Sequence, residues 1–276
     1  MNQKVVITGP ARGIGYEVAK VLARSGDTVI GFDRDGKGIE RLKKEMDRIG
    51  APHFLSCLDI TDVKGVKKFR DAVLKEFGTV DAVISNAAVA SFGAFEEADL
   101  DGMLESLTIN VLGTARIFQA FIPAMRRRGD GRLIAMSSFT GIVPFPFESI
   151  DTACNFAIEG LVRAFRCEVE PFGIEVGLIE PSIVLTDLTA GIHTVPPAGS
   201  PYRERIQRFL AKDREMKKDA MVPTLAAQKI VKIIKGKKLK LHNRIDFTSA
   251  LFLSIDKFLP AGLRDAILLN QMNIKP

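Results

Sequence analysis

The sequence predicts an α/β fold, a doubly wound parallel sheet covered by helices on both faces. Three observations carry that expectation. Six short apolar or β-branched runs recur along the 276 residues. Helical patterns of about 12–20 residues separate them, the alternation that a parallel sheet with crossover helices requires. A glycine cluster stands between the first run and the first helical pattern, where open parallel sheets bind their ligands.

The first strand is Lys4–Thr8, which stops at Gly9 and Pro10. A helix begins near Gly13 and carries Ile14, Val18, Val21 and Leu22 on one face. Further strands read at Thr28–Phe32, His53–Leu58, Ala82–Ser85, Arg132–Met136 and Ile174–Ile179. Between the third and fourth, Asp62 to Phe77 sets Val63, Val66, Phe69, Val73 and Phe77 at helical spacing. Long helical patterns cover 98–128 and 149–169. The Pro/Gly cluster Thr194–Pro201 is an extended break after the sixth strand, followed by a polar helix from Tyr202 to about Lys218. Residues 1–276 therefore read as one domain, with 185–221 as a helical lid inserted over the sheet. An apolar tail, 245–276, contains Phe247, Leu251, Phe252, Leu253, Ile255, Phe258 and Leu259 before Pro260 and a last helix.

Composition excludes several classes. Hydrophobic residues make up 46% and charged residues 26%, which is ordinary for a globular chain and unlike disordered or collagen-like ones. Cys57, Cys154 and Cys167 lie far apart without a CxxC pair, which suits a reducing compartment; the expected location is the cytoplasm. His53, His193 and His242 show no metal spacing, so no metal site is expected. No apolar stretch approaches the roughly 20 residues of a spanning helix. The net charge is +6, yet Lys212–Arg244 alone holds eleven basic and three acidic residues. That stretch lacks interleaved base-stacking aromatics, which argues against a nucleic-acid partner. Lys229–Lys240 alternates instead with Ile230, Val231, Ile233, Ile234 and Leu239, ahead of Leu241, an amphipathic helix leading into a short strand. Contact of 229–276 with an anionic membrane surface stays open.

The segment Thr8-Gly9-Pro10-Ala11-Arg12-Gly13-Ile14-Gly15 joins the first strand to the first helix. Glycines there let the backbone turn tightly and approach a pyrophosphate, and the helix start supplies N–H donors. Asp33, eighteen residues beyond Gly15, ends the second strand where a carboxylate can accept ribose hydroxyls. A carboxylate repels a 2′-phosphate, so NAD(H) is favoured. Arg12 and Arg34 could pair with that phosphate and keep NADP(H) open.

With these residues in place, the chain resembles the short-chain dehydrogenase/reductase family, whose cofactor loop reads TGxxxGIG. Asp59, followed by Ile60, matches the acidic position that holds the adenine amino group. Ser85-Asn86-Ala87-Ala88 is similar to the family's NNAG segment. Asn110-Val111-Leu112-Gly113 is similar to its NVxG stretch, whose Asn supports a proton-relay water. Ser137-Ser138-Phe139-Thr140-Gly141 is similar to SSxxG, with Ser138 at the substrate-orienting serine. Pro181, Val184 and Thr186 fall in the PGxxxT segment, with Thr186 at the nicotinamide-amide position. The resemblance runs to about Thr186 and implies a Rossmann-type sheet, a nicotinamide cofactor and alcohol–ketone chemistry. It also implies homodimers or homotetramers through 98–128 and 149–169. The lid and tail are similar in layout to those of members acting on steroids or retinoids, which points to a small lipophilic substrate.

The family's YxxxK pair is missing. Asp151 stands where the resemblance places Tyr, and Asn155 where it places Lys. The two share one helix face. Asn155 can hydrogen-bond a ribose hydroxyl but carries no charge. An unperturbed Asp titrates near ~3.9 and is a poor neutral-pH acid unless burial raises it. Losing a positioned general acid costs roughly 10²–10⁴ in rate. Two readings follow. One is an altered mechanism using Ser138, Asn110 and Asp151; the other is a catalytically silent dinucleotide-binding or hetero-oligomer partner protein. Glu148 is close enough to act as a base, but nothing in the sequence selects it.

Overall fold

The computed structural model describes residues 2–186, 196–246 and 259–275. Seven parallel strands lie in the order 3-2-1-4-5-6-7. They are β1 (Lys4–Thr8), β2 (Thr28–Asp33), β3 (His53–Cys57), β4 (Ala82–Ser85), β5 (Gly131–Met136), β6 (Ile174–Glu180) and β7 (His242–Arg244). Strand order reverses between β1 and β4, so a crevice opens at their carboxyl ends.

Side-chain alternation along β1 divides the core. Val5 and Ile7 face a layer with Leu22 of α1 (Gly13–Arg24), Leu42 of α2 (Gly36–Ile49) and Ile230. Val6 faces the other layer with Phe69 of α3 (Val63–Phe77), Phe118 and Ile158. Asp35 and Asp62 cap α2 and α3 by accepting the N–H groups of Gly38 and Gly65.

The stretch 98–128 is not one regular helix. It divides into α4 (Leu100–Leu107), a π-helical turn at Thr108–Leu112 and α5 (Gly113–Arg128). Such single turns are rare and lie inside an otherwise helical pattern, so they are not expected from apolar spacing alone. The expected helix over 149–169 is α6 (Ser149–Val169), and the lid helix is α7 (Arg203–Lys217). The helix expected over 229–240 is shifted: α8 runs Pro223–Ile234, started by Pro223 in its first turn. Lys232, and Lys235 just past its end, are exposed, and Ile230 and Ile234 are buried. The sheet then gains a seventh strand, just beyond Leu241, at His-Asn-Arg, a polar trio with no strand-like pattern of its own.

The tail helix α9 (Ala261–Gln271) follows Pro260 and packs on the lid. Phe92, Phe147, Ile206, Phe209, Leu268 and Met272 form this third, separate cluster. The expectations for Leu185–Met221 and the tail that concern 187–195 and 247–258, His193 included, lie outside the described residues. Among the described residues no helix is long and apolar enough to cross a membrane.

Candidate functional site

The carboxyl ends of β1 to β4 enclose a crevice. Gly9, Arg12, Gly13 and Ile14 line one side; Asp33, Arg34, Asp59 and Ile60 line another; Asn86, Ala87 and Thr186 complete it. Gly9 and Gly13 have φ of 71° and 58°, a region that L side chains avoid. A Cβ on Gly9 would lie 2.9 Å from Ala87 Cα. Gly15 serves a different purpose: a Cβ there would collide with the Gly9 carbonyl, so its absence lets α1 pack on the loop. Unlike α2 and α3, α1 receives no side-chain cap, and its N-cap is Arg12.

Thr8 and Asn86 hold the crevice open from beneath. Thr8 Oγ1 accepts the N–H groups of Asn86 and Ala87, both at 3.0 Å, while Asn86 Nδ2 donates to the carbonyls of Thr8 and Gly9 at 3.1 Å. Asp33 Oδ2 accepts from Ala11 N at 3.1 Å and Oδ1 from Asp35 N at 2.9 Å. Burial pushes the Asp59 carboxyl up, but the N–H and hydroxyl of Thr61, with Arg34 and Arg116, hold it below the usual range. Pro181 and Val184 stay out of the crevice. The Pro181 carbonyl accepts from Phe139 N at 3.0 Å, and buried Val184 bridges to Met221.

A second cavity of about 650 Å³ lies between the sheet end, α7 and α9. Ser138, Thr140, Glu148, Ser182 and Ile183 form its floor. Phe145, Phe209, Met216, Leu268 and Met272 make it apolar, and Lys212, Asp213 and Lys217 stand on the α7 side. The segment 182–186 borders both cavities, with Ser182 and Ile183 in this one and Thr186 in the other. Glu148 makes no side-chain hydrogen bond among the described residues. Burial, with Asp151 and Asp213 in support and Lys217 opposing, pushes its carboxyl up to about 8. The preceding Phe147 has φ of 65°, a strained conformation held by Phe92, Phe209 and the Arg205 guanidinium.

Asp151 and Asn155 are turned toward each other rather than into this cavity. Asn155 Nδ2 lies 3.1 Å from Asp151 Oδ2, 3.1 Å from Thr140 Oγ1 and 3.0 Å from the Asp151 carbonyl. Thr140 Oγ1 donates to Asp151 Oδ2 at 3.2 Å. Burial raises the Asp151 carboxyl, and the Thr140 and Asn155 bonds oppose the rise. Ser138 Oγ accepts from Thr140 N at 3.2 Å, so one loop links all four residues. Asn110, buried in the π-helical turn, accepts from Val89 N at 2.9 Å and donates to its carbonyl at 2.8 Å. Its own main-chain carbonyl accepts from Thr114 Oγ1 at 2.7 Å.

Residues 3–195 match the short chain dehydrogenase family. The chain belongs to that family. Among its short-chain dehydrogenase relatives, a 3-ketodihydrosphingosine reductase from Bacteroides thetaiotaomicron is 27% identical over 264 residues, covering 95% of this chain and 94% of the relative. A short-chain dehydrogenase structure from Streptomyces avermitilis superposes with a TM-score of 0.80 at 26% identity, covering 99% and 97% of the two chains. The alcohol dehydrogenase of Thermococcus sibiricus, complexed with 5-hydroxy-NADP, gives 0.71 at 25% identity over 87% and 95%.

On this short-chain dehydrogenase scaffold the sequence reading left two features undecided or unseen. Glu148 is selected only by the turn at Phe147, which aims it into the second cavity. His242 is not isolated: β7 brings it 2.7 Å from Glu180 and 3.8 Å from Glu159. Those three residues come from three elements, so no local spacing reveals them.

Proposed function

We propose that this chain is a nicotinamide-dependent oxidoreductase for a lipophilic alcohol or ketone, with its proton chemistry moved from position 151 to Glu148. The crevice fits a dinucleotide: Gly9 leaves room for close approach and the uncapped start of α1 suits a pyrophosphate. Asp33 would hold the hydroxyls of the adenosine ribose, Asp59 the adenine amino group, and Thr186 the carboxamide. Asp33 favours NAD(H), since its carboxylate retains lone pairs beyond the two main-chain bonds it accepts. Arg12 and Arg34 keep NADP(H) open, in line with the nucleotide named in the Thermococcus complex. When bound, the nicotinamide supplies or accepts hydride.

The observation that carries the proposal is the second cavity, where the Ser138 hydroxyl and the Glu148 carboxyl face one apolar space. A group with a pKa of about 8 keeps its proton at neutrality and can still release it, as a general acid must. Ser138 orients the carbonyl oxygen; Glu148 donates the proton. The apolar wall supports a lipophilic substrate, as does the ketosphingoid named in one relative. The Thr140–Asp151–Asn155 cluster supports a second reading, a silent dinucleotide-binding protein, because these side chains satisfy one another. In either case α4, α5 and α6 would join copies into a homodimer or homotetramer.

The test pairs the natural chain with Asp151→Tyr/Asn155→Lys. Both are titrated with NADH and NADPH by nicotinamide fluorescence, then assayed against lipophilic ketones. Both chains are expected to bind dinucleotide. The natural chain should turn over roughly 10²–10⁴ more slowly than the double variant. Turnover by the double variant alone would favour the silent reading. No binding of either dinucleotide would end both.

A further inference from the structure

The proposed oxidoreductase chemistry makes no use of a cluster beneath the active-site loop. Glu159 lies on α6, two turns beyond Asp151; Glu180 ends β6; His242 opens β7. Their donor atoms all lie within 4.8 Å of one another. His242 Nδ1 is 2.7 Å from Glu180 Oε1 and 3.8 Å from Glu159 Oε2. Glu180 is 0% and Glu159 6% exposed, so both carboxylates are out of solvent. Ionised carboxylates are not left there without partners.

Their partners do not suffice. Glu159 Oε1 and Glu180 Oε2 are buried without a hydrogen-bond donor, and the Ser137 hydroxyl lies against Glu159. Arg244 Nε stands 3.9 Å from Glu180 Oε2 and offers one positive charge against two carboxylates. Arg163, one turn along α6, is exposed and acts on Glu159 only as a nearby charge. Two orphaned buried carboxylate oxygens beside a hydroxyl and an imidazole nitrogen make a donor set that lacks its centre.

We propose that Glu159, Glu180 and His242, with Ser137 beside them, bind one divalent cation of the Zn²⁺ or Mn²⁺ kind. Two carboxylates and an imidazole without thiolate are the borderline oxygen/nitrogen set these ions take. Bonds of about 2.0–2.2 Å hold ligands roughly 3–3.5 Å apart, so the cluster contracts modestly about the Glu159 side chain. Where Nδ1 carries the hydrogen shared with Glu180, that proton leaves to solvent as the cation bonds. The imidazole is partly exposed and gives the ion a path inward. The cation clamps α6, β6 and β7 together. Glu159 also packs on Gly141, where a Cβ would lie 3.2 Å from Glu159 Cγ, so the clamp positions the loop carrying Ser138 and Thr140.

The experiment uses the full chain, treated with chelator, in the absence of dinucleotide. Zn²⁺ and Mn²⁺ are titrated by calorimetry into the natural chain, Glu159→Gln and His242→Asn, with circular dichroism as the check on folding. One cation per natural chain is expected, with at least tenfold weaker binding in each folded variant and a cation-dependent rise in Tm only in the natural chain. His242→Asn changes a partly exposed side chain and serves if Glu159→Gln fails to fold. No binding to the natural chain overturns the proposal. So does equal binding by natural chain and variants, which would place the ion elsewhere, as at exposed Cys57 or Cys167. Dinucleotide binding is not read, so the oxidoreductase reading stands or falls separately.

Discussion

Glu148 and Asp151 are three residues apart, and their surroundings give them different chemistry. Asp151 meets Thr140 and Asn155, so its second oxygen is committed. Glu148 faces a largely apolar cavity and makes no side-chain hydrogen bond among the described residues, so desolvation governs it, with Lys217 opposing. The consequence can be read in stability. The folded chain keeps the Glu148 proton up to about 8, whereas its ordinary value is 4.5. The stabilising contribution is therefore full below the ordinary value and is lost as pH rises through about 8. Within that window the natural chain should lose up to about 1.4 kcal/mol per pH unit from this group. Glu148→Gln, which cannot ionise, should melt with a flatter pH profile, keeping the slope that Asp151 contributes in the same direction. Melts that fall in parallel for both chains would show that Glu148 ionises normally. Turnover by the natural chain should likewise decline as Glu148 ionises, because the proton donor is lost.

At the scale of elements, legibility follows the range of the interactions. β1 through β6 and the glycine loop could be read because each is set by adjacent residues: a β-branched run, a turn, an apolar stripe. β7 could be read only in part: a short strand was expected at Leu239–Leu241, but the paired residues are His242–Arg244, which become a strand by lying beside Leu178–Glu180. The π-helical turn holding Asn110 spans only five residues between α4 and α5, too few to separate from the helical pattern around it. Glu148 was visible as a nearby carboxylate, yet its role depends on the left-handed Phe147 and on α7 and α9 closing over it. That closure rests on the third cluster, where Phe209 is 1% exposed and packs 5.2 Å from Phe92 and 5.8 Å from Phe147, centroid to centroid. Phe209→Ala should cost about 3–5 kcal/mol of local stability. The lid cluster is separate from the two sheet layers, so the loss should stay local. Hydrogen exchange should accelerate in 203–217 and 261–271 while β1, β4 and β5 keep their protection. Acceleration spread evenly over the sheet would show that the lid folds as one unit with it.

Across the whole molecule the buried and exposed apolar residues are distributed unequally. Val63, Leu225 and Leu263 are exposed singly on α3, α8 and α9, but Leu100, Leu104 and Leu112 on α4 and the following turn, with Phe156 on α6, are exposed together. Leu100 and Leu104 are one turn apart on the same helix face, and α4 packs against α6, so these side chains form a patch rather than scattered exceptions. Solvent contact of such a patch is unfavourable by about 25 cal/mol per Å², and a second copy of the same surface would relieve it through a two-fold axis. The homo-oligomer that the family resemblance implies would use these helices as well. Leu104→Asp introduces a charge at the centre of the patch, where a self-complementary interface sets like charges near each other. Light scattering should then report the natural chain at twice or four times the 30.2 kDa of one subunit, and the variant near one. The variant should retain the crevice, because Leu104 does not line it. A natural chain that is monomeric, or a variant that assembles unchanged, would move the interface away from α4 and leave the exposed leucines to another partner.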